Sequence, residues 1–279
     1  ASFTFDSHDN ARLDAPLLHE GMKTRGEEDP DPSNVAAKVE MGHGDVEAGF
    51  ALADEIVERE FTTQAVHQGY IEPHACLAQV EGDGKAVLWV SSQGQFAIRG
   101  LTASVLELDL SQLRVIPAEI GGGFGGKTTI YLEPLAVALA QKTGRPVKMV
   151  MSREEVFRSS GPVLSTRIKV KIGASRDGKL VAAQGWLHYE AGGFPGSSVQ
   201  AGAMTIFSSY ALEHVQITGY DVVVNKAKGA ACALRVLRSG VKPVGADESR
   251  ARSALAVLMM LEWCVPVCDS AFRTALAGE

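Results

Sequence analysis

Gly121-Gly122-Gly123-Phe124-Gly125-Gly126-Lys127-Thr128 is the stretch on which the fold turns, because it satisfies two templates that demand different architectures. As G-x-x-x-x-G-K-[ST] it is a phosphate loop, whose backbone N–H groups wrap phosphates while the lysine reaches the outer phosphates and the threonine hydroxyl ligates magnesium. That reading calls for a strand before the loop, a helix after it, and a parallel sheet of alternating units around both. As five glycines in six residues, the same stretch is a place where main chain approaches a ligand closely, since only glycine does so without a Cβ in the way. The plainest alternative is a loop that merely lets two pieces of backbone pack closely, but so many glycines are costly to order for packing alone.

Upstream, Leu113 to Ile120 reads as a short strand feeding the loop, and Gln95 to Leu108 places Phe96, Leu101, Val105 and Leu108 at helical spacing. Before them, Ala75 to Ser92 is a hairpin, two apolar runs joined at Glu81-Gly82-Asp83-Gly84-Lys85. Downstream, Ile130 to Lys142 is an Ala- and Leu-rich helix, apolar on more than one face and so expected to be well buried. Gly144-Arg145-Pro146 stops it, and Val147 to Met151 is expected as a compact buried strand. Leu164 to Ala174 and Leu180 to Glu190 flank a turn at Ser175-Arg176-Asp177-Gly178-Lys179, Gly192 to Gly202 is a Gly- and Ser-rich loop, and His214 to Val224 is a further strand.

Nearer the start, Asp45 to Ala53 is a short helix with acids at the positive end of its dipole, and Glu55 to Thr63 alternates as a half-exposed strand does. Residues 1 to about 34 are polar and acidic, and Glu27-Glu28-Asp29-Pro30-Asp31-Pro32 sustains no helix. Strands and helices mix without strict alternation, which predicts an α+β fold with a mixed sheet. The expected division is 1–54 as extended linker and entry segment, 55–230 as the main domain, and 231–279 as a divergent tail in which strand periodicity fades.

This organisation disfavours the phosphate loop, because long hairpins are foreign to a parallel nucleotide-binding sheet. The magnesium acid is missing too: Lys148 interrupts the candidate strand Val147 to Met151, and Glu154 and Glu155 lie beyond Ser152 and Arg153.

The composition bounds the rest. A formal net charge of -6 argues against nucleic acid or anionic membranes as partners. Cysteines at 76, 232, 264 and 268 are too scattered for a disulfide framework, and Cys264-Val-Pro-Val-Cys268 lacks a second ligand pair, so reduced thiols in the cytoplasm are expected. His67 and His74 have no companion at metal-ligand spacing, and Arg99 is expected to pair with a carboxylate or phosphate inside the fold. No secretory signal opens the chain, and the run Leu255 to Val267 is broken by Glu262 and too short to span a bilayer.

Beyond the loop, Asn34-Val35-Ala36-Ala37, Gly44-Asp45-Val46-Glu47, Tyr70-Ile71-Glu72-Pro73-His74-Ala75, Ser91-Ser92-Gln93-Gly94-Gln95-Phe96 and Arg145-Pro146-Val147-Lys148 follow one another in order. With Gly-Gly-Gly-Phe-Gly-Gly-Lys, this ordered set resembles the molybdopterin-binding large subunit of the xanthine dehydrogenase and aldehyde oxidase family, including its carbon monoxide dehydrogenase branch. The resemblance runs from about Asn34 to Lys226.

It implies a molybdenum–molybdopterin cofactor, in the cytosine dinucleotide form, whose metal is held through the pterin rather than by protein side chains. It implies oxidative hydroxylation of an aldehyde, N-heterocycle or small carbon substrate, with electrons passing to [2Fe-2S] clusters and FAD on partner subunits of a hetero-oligomer. By position, Gln93 matches the glutamine that hydrogen-bonds at the molybdenum centre, Phe124 the aromatic residue beside it, and Gly122, Gly123 and Gly125 the backbone that approaches it. Glu72 matches the Tyr-x-Glu-Pro segment, where a structural acceptor role is expected.

The departures matter as much. Relatives acting on purines carry a glutamate directly after the loop lysine, where Thr128 stands. The family's Ala-Tyr-Arg-Ala-Pro-Gly segment is replaced by Gly229-Ala230-Ala231-Cys232-Ala233-Leu234-Arg235-Val236-Leu237-Arg238, which a one-step slip of reading frame relates to Arg-Ala-Pro-Gly. Residues 231–279 are therefore expected to be a frameshifted or otherwise aberrant tail. The family's general base, a glutamate late in a longer subunit, has no counterpart here, so the expectation is a middle module of a larger polypeptide that is inactive alone.

Overall fold

In the computed structural model, residues 17–28 and 31–230 are described. The tail expected at 231–279, with Cys232, Cys264 and Cys268, lies outside the described residues. In chain order the elements are β1 (Val35–His43), α1 (Val46–Ala51), β2 (Glu55–Thr63), β3 (Ala75–Val80), β4 (Ala86–Val90), α2 (Gln95–Val105), a 3₁₀ turn (Leu110–Gln112) and β5 (Leu113–Pro117). They continue with α3 (Glu133–Thr143), β6 (Val147–Val150), α4 (Arg153–Ser159), β7 (Thr166–Ala174), β8 (Leu180–Gly192), α5 (Val199–Thr205) and β9 (His214–Val223). The expected α+β mixed-sheet fold is what forms, as two compact units.

One unit joins the described residues through Ala65 to Leu164–Gly229 and carries a five-stranded sheet in the order β1-β9-β8-β7-β2. Only β8 and β9 run parallel, since α5 carries the chain back between them, while a tight turn makes β7 and β8 an antiparallel hairpin. Val170, Ile172, Ala183, Leu187 and Tyr189 point to one face, where Val199 and Ala203 of α5 and the following Phe207 cover them. Asp45 caps α1 by accepting from the amides of Glu47 and Ala48.

The other unit, Val66–Val163, holds a four-stranded sheet in the order β5-β4-β3-β6. The hairpin β3–β4 is antiparallel, and α2 returns the chain so that β5 lies parallel to β4. Ile98 and Ala103 of α2 and Ala136, Val137 and Ala140 of α3 pack with Ala78, Leu88 and Val90 into one core. The loop therefore springs from β5, an edge strand beside a buried sheet centre.

Several local expectations need correcting. Helix α2 forms, but Phe96, Leu101 and Val105 face outward, at 79%, 43% and 60% exposure, while Ile98, Thr102 and Ala103 are buried. The residues against the sheet are mostly small, which allows a close approach that a phenylalanine on that face would prevent. Helix α3 starts at Glu133 rather than Ile130, with Pro134 in its first turn, and leaves Leu135 and Leu139 exposed. Strand β6 is an edge strand of alternating burial rather than a buried one, because it pairs only with β3. The Gly- and Ser-rich loop contains α5, and neither β1 nor α4 was expected from the pattern.

Candidate functional site

The glycine loop leaves β5 at Pro117 and reaches α3 without a helix directly after its lysine. Gly122 and Gly125 adopt φ of +92° each, and Phe124 sits at +48°, a left-handed conformation unusual for an aromatic residue. A Cβ on Gly123 would lie 2.5 Å from Gln93 Oε1, and one on Gly121 2.8 Å from Glu72 Cβ. Glycine thus lets the loop meet those two side chains at this distance, where a Cβ would force either side chain to shift.

Those side chains grip the loop from its two ends. Glu72 Oε2 accepts from the Gly121 amide at 2.9 Å and from Lys127 Nζ at 2.6 Å. Gln93 Oε1 accepts from the Gly125 amide at 2.8 Å and the Lys127 amide at 3.2 Å, while the Gln93 backbone N–H donates to the Lys127 carbonyl at 2.8 Å. Two N–H groups on one oxygen assign that atom as the side-chain carbonyl, which leaves Nε2 of this exposed residue without a hydrogen-bond partner among the described residues. The amides of Gly122, Gly123 and Phe124 donate to no acceptor among the described residues, although Gly123 is buried. The result is a run of backbone donors beside the free amide of Gln93.

Behind the loop lies a polar chain. Lys127 is only 1% exposed, and its ammonium stands 5.1 Å over the Tyr70 ring. The Tyr70 hydroxyl lies 2.7 Å from His74 Nε2 and donates to Ser160 Oγ at 3.0 Å, so His74 carries its proton on Nε2. His67 Nε2 approaches the same Ser160 oxygen at 3.0 Å, while its Nδ1 accepts from the Gly69 amide. Burial, reinforced by the Lys127 charge, pushes the His74 pKa down to about 4, so the imidazole is neutral at neutral pH. Burial would raise Glu72, but the hydrogen bonds from Lys127 and Gly121 outweigh it and hold the carboxyl below its ordinary value.

This geometry overturns the phosphate-loop alternative. Lys127, which would have to reach a nucleotide, is buried and paired with Glu72. The amides of Gly125 and Lys127 are already taken by Gln93, and the Thr128 hydroxyl donates to the Gly125 carbonyl at 3.0 Å. Arg99 also differs from expectation: it donates to the carbonyls of Leu113 and Leu110 and ties α2 to the start of β5, and its charge helps hold the Asp109 carboxyl down, but it forms no ion pair with a carboxylate among the described residues. Glu72 is a structural acceptor as expected. Neither histidine joins a metal cluster, and no group of three His, Cys, Asp or Glu is arranged to hold a metal among the described residues. Cys76 is buried and free, its thiol pushed up to about 12 by burial, so it is unreactive.

Sequence reasoning missed Tyr70, Ser160 and the partnership of Lys127 with Glu72. The only available signal was a lone acid and a lone lysine among apolar and glycine residues, each in need of a countercharge.

Known proteins resemble this chain in both sequence and structure. The chain is 36% identical over 152 residues to the nicotinate dehydrogenase large molybdopterin subunit of Eubacterium barkeri, covering 54% of this chain and 36% of that protein. Its structure is similar to aldehyde oxidoreductase from Desulfovibrio gigas (TM-score 0.69, 26% identity, 80% of this chain and 24% of that one). It is also similar to the CO dehydrogenase of Oligotropha carboxidovorans (TM-score 0.68, 28% identity, 81% and 30%). The chain spans from 16% to 36% of the length of the first curated relatives it matches. No helix among the described residues is long and apolar enough to cross a membrane. Residues 28–234 match the family described as the molybdopterin cofactor-binding domain, and the chain belongs to that family.

Proposed function

We propose that this chain is the part of a molybdenum hydroxylase or dehydrogenase large subunit that presents hydrogen-bond donors to the molybdenum end of the cofactor. The observation that carries the proposal is the open donor array: the unpaired amides of Gly122, Gly123 and Phe124 beside Gln93 Nε2. Oxygen and sulfur ligands around a metal are acceptors, and consecutive backbone N–H groups at glycines form a concavity suited to them. The fit is therefore chemical as well as positional. Gly125 contributes by letting the loop turn back onto Gln93.

When bound, the cofactor supplies the two-electron oxidation of the substrate carbon. The residues of this chain orient and hold it. Gln93 keeps its carbonyl on the loop and its N–H₂ outward, and Phe124, 56% exposed in its left-handed conformation, walls the space beside the donors. Thr128 turns its hydroxyl back onto the loop and offers no carboxylate to a purine. An aldehyde, a pyridine-like N-heterocycle or a small carbon substrate accordingly suits the site better than xanthine. The cytosine dinucleotide form of the cofactor, [2Fe-2S] and FAD on partner subunits, and a cytoplasmic location belong to the same reading.

Metal and pterin analysis of the full chain purified with its partner polypeptides tests this. Molybdenum with an extractable pterin nucleotide is expected. Magnesium-dependent nucleotide binding in a preparation devoid of molybdenum would sink the proposal.

A further inference from the structure

We propose that Lys127 is a positioning residue that couples the two acceptors gripping the glycine loop, Glu72 at its entrance and Gln93 at its exit, so that the amides of Gly122, Gly123 and Phe124 act as one rigid donor array. The inference rests on the preceding reading only in taking those amides to face the cofactor. Lys127 is the one residue of the loop bonded to both acceptors. Its ammonium reaches Glu72 Oε2 at 2.6 Å, while its own amide and carbonyl close a two-way pair with Gln93 at 3.2 and 2.8 Å. Ser92 Oγ adds a weaker contact to the same carbonyl at 3.4 Å.

A buried ammonium is tolerated only where it is paired, so the side chain cannot leave Glu72 without a large penalty. The Tyr70 ring beneath Nζ and the neutral His74 beyond it supply no alternative anion. Glu72 Oε2 in turn accepts from the Gly121 amide, and the Glu72 amide donates to the Gly121 carbonyl at 3.3 Å. The entrance of the loop is thereby linked to its exit through one side chain. The three amides between are kept from curling back onto local carbonyls, the ordinary fate of unpaired donors in a flexible glycine run.

Hydrogen exchange on the full chain, read amide by amide, tests the coupling. Glu72→Gln keeps an acceptor for Gly121 but removes the anion; Glu72 is 33% exposed, so this variant is the one expected to fold most readily. The Gly125 and Lys127 amides, which Glu72 does not touch, are expected to exchange about tenfold faster or more, while the β3–β4 ladder keeps its wild-type protection. Lys127→Met is expected to give the same pattern. Acceleration confined to Gly121, or spread equally through β3 and β4, overturns the proposal. The molybdenum content of Glu72→Gln purified with its partners is expected to fall relative to wild type, and an unchanged content also overturns it. If the wild-type protein itself carries no molybdenum, the functional reading fails, while the exchange pattern still decides whether Lys127 couples the two ends.

Discussion

Two glycine-rich turns, Gly121 to Lys127 in one unit and Gly192 to Ser198 in the other, are alike in composition and differ in how the donors at their glycines are used. Each carries an exposed phenylalanine, Phe124 or Phe194, and each lies beside an acid–lysine pair, Glu72–Lys127 or Glu190–Lys226. In the second turn, Asp221 accepts from the Gly196 and Ser197 amides at 2.8 and 2.9 Å, and the Gly193 amide donates to the Lys226 carbonyl. Three of its donors are spent on its own fold. The first leaves three consecutive amides without an acceptor among the described residues. A run of glycines therefore signals close approach, and only the hydrogen-bond accounting separates a turn that approaches its own protein from one that approaches a ligand.

The harshest way to probe the contrast is Gly192→Ala. Gly192 has φ of +82°, and a Cβ there would run into the Ala227 carbonyl and lie 2.7 Å from Lys228 Cα, backbone that cannot give way. A loss of about 3 kcal/mol or more in unfolding free energy is expected from chemical denaturation. Molybdenum content per folded chain should stay at the wild-type level. A variant that melts normally but loses metal would erase the distinction between the turns.

How much of this was legible beforehand depends on whether a feature is local. Strand β2 and the β7–β8 hairpin announced themselves because alternation and a Ser-Arg-Asp-Gly-Lys turn are short-range signals. Helix α2 was legible as a helix but not in its facing: apolar residues occupy both sides, and what chose Ile98 and Ala103 for the core was the sheet beneath them. Strand β1 was invisible because its pairing partner β9 lies far along the chain and its own pattern is buried at one end and exposed at the other. At the site, the glycines, Phe124 and Gln93 could be singled out in advance by resemblance. The use of Gln93 as an acceptor for the loop, and the Lys127–Glu72 bond across 55 positions, could not, since no local pattern encodes them.

Next in size is the acid response of the unit that holds the first turn. His74 is depressed to about 4 in the folded protein, against about 6.5 when unfolded. The unfolded chain thus binds a proton that the folded one refuses. Stability is complete above about pH 6.5 and drains away as pH falls toward 4, by about 3 kcal/mol at most. Thermal melts across that range, compared with His74→Phe, should show the variant with a flatter profile; parallel profiles would remove His74 from the buried chain behind the loop. Asp221→Ala comes third. It strands the Gly196 and Ser197 amides at a cost of about 2 kcal/mol, again without a loss of metal per folded chain.

The smallest expected loss of stability is the most telling. Gln93→Ala frees the Gly125 and Lys127 amides, but Gln93 is exposed and water replaces its carbonyl, so denaturation should register only about 1 kcal/mol. The same substitution removes the outward Nε2 and one of the two grips on the loop, and both act on whatever the open donors face. Metal and pterin content should therefore fall more in Gln93→Ala than in Asp221→Ala, although Asp221→Ala is the less stable protein. That inversion cannot come from general loosening, which would make the less stable variant the emptier one. Gln93→Glu separates the two contributions: its carboxylate still accepts from Gly125 and Lys127, so the loop stays held, yet it confronts an acceptor-rich ligand with negative charge in place of a donor. Retention of metal by Gln93→Glu would assign the effect to the grip alone, and its loss would assign it to the outward end of the side chain, where a donor has given way to charge.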